Sequence, residues 1–81
     1  MSAEILIIDD NSDIREILND LIIEAGYSTR LAANYNQALS EIDKKLPDVA
    51  IIDVKLDKGD NDGIELLNHI KNKNINIPVI I

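Results

Sequence analysis

Ile5-Leu6-Ile7-Ile8-Asp9-Asp10 and Val49-Ala50-Ile51-Ile52-Asp53 repeat one pattern: four apolar residues, then carboxylate. A continuous apolar run with no polar alternation marks a strand covered on both faces. Such strands belong to parallel sheets, whose crossover helices pack on either side. Each run changes from aliphatic to acid in a single step, so both ends carry their charge where the strand stops.

The chain between and around these runs reads as helices and further strands. Asn11 or Ser12 can cap a helix whose apolar residues are Ile14, Ile17, Leu18, Leu21, Ile22 and Ala25, one stripe at helical spacing. Gly26 stands where a left-handed residue would stop it. Tyr27 to Ala32 reads as a strand, and its Ser28, Thr29 and Arg30 suit an edge position. Asn34 with Gln37 resembles a capping box opening a helix through Ala38, Leu39 and Ile42, which Pro47 ends. After a polar loop from Val54 to Asn61, Asp62 with Glu65 makes a second such box. Ile64, Leu66, Leu67 and Ile70 follow as a third helical stripe, and Val79-Ile80-Ile81 as a fourth apolar run. Strand–helix alternation with short connections implies βαβ units, a parallel sheet and right-handed crossovers. The last run has no turn or cap after it, so residues 1–81 are expected to be part of a longer domain.

Eighty-one residues suffice for one small domain, in which only about 60% of the unfolded surface can be buried. An apolar content of 46%, nearly all aliphatic, indicates a packed core and not a disordered chain. Without cysteine there is neither a disulfide framework nor a thiolate metal site, which fits a reducing cytoplasm. A net charge of −7 argues against nucleic-acid binding by these residues, because phosphate contacts need clustered Lys and Arg. No apolar run is long enough to span a membrane.

In an open α/β sheet, ligands bind outside the carboxyl ends of the strands, where the strand order reverses. If the first and third strands are neighbours, Asp9, Asp10 and Asp53 meet there. Two carboxylates about 4 Å apart repel by roughly 4 kcal/mol at an effective dielectric near 20. That equals about three pKa units, so either one acid holds a proton or a cation sits between them. Hard oxygen ligands without His or Cys select Mg²⁺, Mn²⁺ or Ca²⁺. Mg²⁺ takes few carboxylates, keeps waters and recruits phosphate oxygens, which suits this set. The helix starting near Asp13 points its amino end at the same place and favours an anion such as phosphate.

Asp9-Asp10 after the first strand, Asp53 after the third and Asp62-Gly63 at the next helix resemble the receiver domain of two-component response regulators. The resemblance implies a flavodoxin-like (CheY-like) α/β fold with a parallel sheet in the order 2-1-3-4. It places residues 1–81 as the N-terminal two-thirds of one receiver domain, truncated after the fourth strand, with the fifth strand and last two helices missing. It further implies that Asp53 is the phosphoacceptor, that Asp10 and Asp53 ligate Mg²⁺ directly, that the Lys55 backbone carbonyl is the remaining protein ligand, and that Asp9 acts largely through water. The implied partners are a sensor histidine kinase and a C-terminal output domain, in a cytoplasmic transcription regulator that is an enzyme only in assisting its own phosphorylation and dephosphorylation. The stretch from Asp53 to Gly63 is longer than receivers commonly carry and has Asp57 where a proline is common, which resembles the nitrogen-regulation (NtrX-like) regulators. The Ser or Thr past the fourth strand and the Lys after the fifth, by which receivers hold the phosphoryl group, would follow Ile81. Mg²⁺ binding by these residues alone is therefore expected to be weak and phosphorylation poor. The stripe around Ile17 and Leu21 should be partly uncovered, which favours self-association or domain swapping.

Other readings fit less well. An EF-hand loop would need an acid at Lys58 and a bidentate Glu at His69. A dinucleotide fold needs a glycine-rich turn where Asp9-Asp10-Asn11-Ser12 stands. A dehalogenase-type phosphatase wants an acid where Asn11 stands. The principal rival is a non-switching pseudo-receiver serving as a protein interaction module. His69 lies off the apolar stripe and is expected to be solvated.

Overall fold

A computed structural model describes residues 3–52, 68–72 and 78–80. Its elements run β1 (Glu4–Ile8), α1 (Ser12–Glu24), β2 (Ser28–Ala32), α2 (Tyr35–Lys44), β3 (Val49–Ile52) and β4 (Val79–Ile80). Residues 68–72 are helical as well. The strands form one parallel sheet in the order β2-β1-β3-β4, as the resemblance implied. The Val54–Asn61 loop, the Asp62–Glu65 box, the stripe residues Ile64, Leu66 and Leu67, and Ile81 lie outside the described residues.

Local chemistry sets the helix ends. Asn11 is the N-cap of α1, and its Oδ1 accepts from Asp13 N–H (3.0 Å) and Ile14 N–H (3.2 Å). At the other end, Gly26 takes φ 100°, Gly26 N–H donates to Ile23 O and Tyr27 N–H donates to Ile22 O. This pair of bonds closes the last turn, and the positive φ is why a glycine stands there. Asn34 caps α2 by accepting from Gln37 N–H at 2.8 Å. The Gln37 side chain accepts at 2.8 Å from Ala33 N–H, one residue before the usual capping-box donor.

Residues paired across parallel strands share a sheet face, and this divides the strands cleanly. Leu6, Ile8, Ala32, Ala50 and Ile52 face one side, where they pack with Ala38 and Ile42 of α2 and with Ile70. Ile7 alternates to the other face and is also fully buried. Against that second face lies α1, tied to β2 by a hydrogen bond from Thr29 Oγ1 to Asn19 Oδ1. The α1 stripe is split along its length: Leu18 and Ile22 are half-buried, whereas Ile14 is 46% exposed and Ile17 and Leu21 are each 58% exposed. No residue of α1 is fully buried. The predicted uncovering of this stripe is therefore present, and Ile80 on the edge strand β4 is exposed as well.

The amino end of the sheet is pinned by Arg30, a β2 residue that pattern reading treats only as polar. Its Nη1 donates to Glu41 O (2.7 Å) and Glu41 Oε1 (3.2 Å), and its Nη2 donates to the Lys45 carbonyl. Its Nε lies 3.0 Å from Glu4 Oε1, an ion pair without hydrogen-bond alignment. Glu4 in turn accepts from Asp48 N–H (2.8 Å) at its carbonyl and donates its N–H to Asp48 Oδ2 (2.7 Å). One guanidinium thus joins β1, β2 and the end of α2.

Candidate functional site

The carboxyl ends of β1 and β3 lie side by side, with Ile8 paired to Ile52. Parallel neighbours stand about 4.8 Å apart. Asp9 follows Ile8 and Asp53 follows Ile52 in the chain, so each acid comes directly after one member of that pair in sequence. Of the four residues expected in the site, Asp9 and Asp10 are among the described residues, and Asp53 and Lys55 lie outside them.

Asp9 is the one buried polar or charged residue among the described residues, at 8% exposure. Its N–H donates to Ala32 O (3.1 Å), which extends the β1–β2 ladder by one residue. Its Oδ1 accepts from Asn11 N–H (2.9 Å), an Asx turn that bends the chain out of the strand and into α1. Asp10 is exposed at the rim. A buried carboxylate needs a compensating cation, and no Lys or Arg side chain among the described residues forms an ion pair with Asp9 or Asp10. The Arg15 guanidinium instead donates to the Asp9 main-chain carbonyl at 2.7 Å.

This donor set fits a hard divalent cation. The Asp9 carboxylate is oriented by the Asn11 N–H and the Asp10 carboxylate is open to solvent. Among the described residues no three His, Cys, Asp or Glu side chains come together as a metal cluster, so a site of three acids would take its third from outside them.

Two features went unrecognised in the sequence. Arg15 lies one turn into α1, and nothing in the periodicity shows that its side chain folds back over the strand end. His69, expected in solvent, is half-buried with its Nε2 enclosed and without a hydrogen-bond partner among the described residues. Its helix lies with the neighbouring Ile70 in the core, which draws the imidazole partly under cover.

The family model of the response regulator receiver domain matches residues 5–81. Sporulation initiation phosphotransferase F of Bacillus subtilis is 43% identical over 81 residues, covering all of this chain and 64% of the relative. The nitrogen assimilation regulatory protein NtrX of Azorhizobium caulinodans is 36% identical over 80 residues, or 99% of this chain and 18% of the relative. The crystal structure of NtrX from Brucella abortus superposes with a TM-score of 0.88 at 34% identity, covering 98% of this chain and 18% of that one. The chain thus spans less than two-thirds of the length of these relatives. No helix among the described residues is long and apolar enough to cross a membrane.

Proposed function

The chain belongs to the response regulator receiver domain family, and from that membership we propose that Asp53 accepts a phosphoryl group from a sensor histidine kinase in a Mg²⁺-dependent transfer. The single observation that carries this reading is the pairing of Ile8 with Ile52, which makes the residues before Asp9 and Asp53 neighbours at the carboxyl edge of the sheet.

In this reading an Asp53 carboxylate oxygen attacks phosphorus as the bond from phosphorus to the kinase histidine nitrogen breaks. The electron pair returns to that nitrogen, leaving an aspartyl phosphate on this chain. Mg²⁺, held by Asp10, Asp53 and the Lys55 backbone carbonyl with Asp9 acting largely through water, would supply charge neutralisation at the phosphoryl oxygens. The chain's own contribution is positioning. The Asn11 N–H holds the Asp9 carboxylate, and the amino end of α1 favours negative charge beside it. The domain assists its own phosphorylation and dephosphorylation and is otherwise not an enzyme. Residues 1–81 form the N-terminal two-thirds of one such domain, in a cytoplasmic protein whose C-terminal output domain receives the signal. The exposed Ile14, Ile17, Leu21 and Ile80 support self-association of this chain with a second copy. A single monomeric species at tens of micromolar (roughly the range where a weak apolar contact is populated) would contradict that part.

Phosphorylation of the intact protein by a histidine kinase is expected with Mg²⁺ and lost on Asp53→Asn. A pseudo-receiver would take no phosphoryl group in either form. On the 81-residue chain, Mg²⁺ titration of wild type and Asp10→Asn should give separate curves, and coincident curves would reject the metal assignment.

A further inference from the structure

Asp9 is held from three directions, twice at its main chain and once at its side chain. Its N–H reaches Ala32 O (3.1 Å), its Oδ1 receives Asn11 N–H (2.9 Å), and its carbonyl oxygen receives Arg15 Nη1 at 2.7 Å. The last contact is the shortest and the one made by a cation. A peptide group is planar, so holding the Asp9 carbonyl also holds the plane from which Asp10 departs. Arg15 is itself anchored, because its N–H donates to Asn11 O at 2.9 Å in the first turn of α1. It is half-buried and, although Asp13, Glu16 and Asp20 lie near it in sequence, forms no ion pair with a carboxylate among the described residues. The guanidinium is directed at a main-chain oxygen in a strongly acidic neighbourhood.

We propose that Arg15 is a positioning residue for the acid pair: by holding the Asp9 carbonyl it fixes the direction in which Asp10 meets a hard cation. The inference rests on the receiver reading above, since it presumes that the pair binds Mg²⁺. Its sign separates it from simple electrostatics. A nearby positive charge repels Mg²⁺, so if Arg15 acted by charge alone, removing it would tighten binding. If it acts by orientation, removing it weakens binding, as loss of outer partners of metal ligands does.

The experiment is a Mg²⁺ titration of the 81-residue chain, read from the amide resonances of Asp10 and Asn11, with unfolding followed separately. Arg15→Met keeps the apolar stem and removes both donor and charge, and its Kd for Mg²⁺ is expected to rise about tenfold. Arg15→Lys keeps one donor and should recover part of that loss. An unchanged or tighter Kd in folded Arg15→Met overturns the proposal. A wild-type chain that shows no Mg²⁺ response at all overturns the Mg²⁺ assignment of the acid pair, and this inference with it. Should Arg15→Met not fold, the wild-type guanidinium resonance decides. A hydrogen-bonded Nη–H that shifts on adding Mg²⁺ supports the role, and a freely rotating, unshifted one overturns it.

Discussion

Asn11→Ala removes the side chain that closes the amino end of α1 while leaving the main chain of the acid loop intact. Two donors lose their acceptor, Asp13 N–H and Ile14 N–H, while the bond from Asn11 N–H to Asp9 Oδ1 persists because its donor is backbone. N-cap loss of this kind costs about 1 kcal/mol. For a domain of this size that lowers Tm by about 4–8 °C. Asn11→Asp keeps an acceptor at the same place and adds a charge that the helix end favours but that Asp9, Asp10 and Asp13 oppose, so it should lie between the two and approach wild type as salt rises. The assay is thermal and urea unfolding followed by far-UV circular dichroism, with equal m-values required so that stability and not denatured-state compactness is compared. Asn11→Ala with an unchanged Tm would refute the reasoning. So would Asn11→Asp remaining as destabilised as Asn11→Ala at high salt, since the loss would then not be the cap.

Three further outcomes follow from the packing and charges. Ile42→Ala, on the buried face of α2, should cost about 2–5 kcal/mol in urea unfolding, whereas Ile17→Ala on the exposed face of α1 should cost no more than about 0.5 kcal/mol. Equal losses would mean that α1 is covered in solution. Gly26→Ala should destabilise by about 1–2 kcal/mol from backbone strain alone, because φ is 100° and an added Cβ meets nothing within 4 Å. The Lys44 ammonium, ahead of the Arg30 guanidinium, holds the Glu41 carboxyl below its usual 4.5 against burial that pushes it up. A depressed carboxylate pKa adds stability that is present above the unfolded value and lost as pH falls through the folded one. Glu41→Gln should therefore lower stability at neutral pH and flatten its decline below about pH 5. A parallel shift of the whole stability–pH curve would count against this assignment.

Much of the architecture was legible because it rests on local rules. The unbroken apolar runs of β1 and β3 reflect burial on both faces, Gly26 reflects a left-handed turn, and the half-polar Ser28–Ala32 reflects an edge. Asp9 and Asp10 stood out because an acid directly after a buried strand has few structural uses. Arg15 and Arg30 did not stand out, and the reason is reach. Each guanidinium bonds main-chain oxygens of another element, Asp9 O in one case and Glu41 O and Lys45 O in the other, and main-chain oxygens leave no mark in a sequence pattern. The imidazole of His69 was misplaced for a related reason, since spacing along a helix gives the angle of a side chain and not the depth of the surface above it.

The order of residues by itself determined which described segments become strands and helices, where α1 and α2 begin and where α1 stops, and that carboxylates follow two buried strands, because propensity, capping and hydrophobic period act over a few residues. Only the tertiary structure decided that β1 sits between β2 and β3 with Ile8 beside Ile52, that Asp9 is buried while Asp10 is exposed, and that α1 buries one side of its stripe and leaves the other open. Those outcomes depend on contacts between residues dozens of positions apart, where the free energy of packing the whole sheet selects the neighbour.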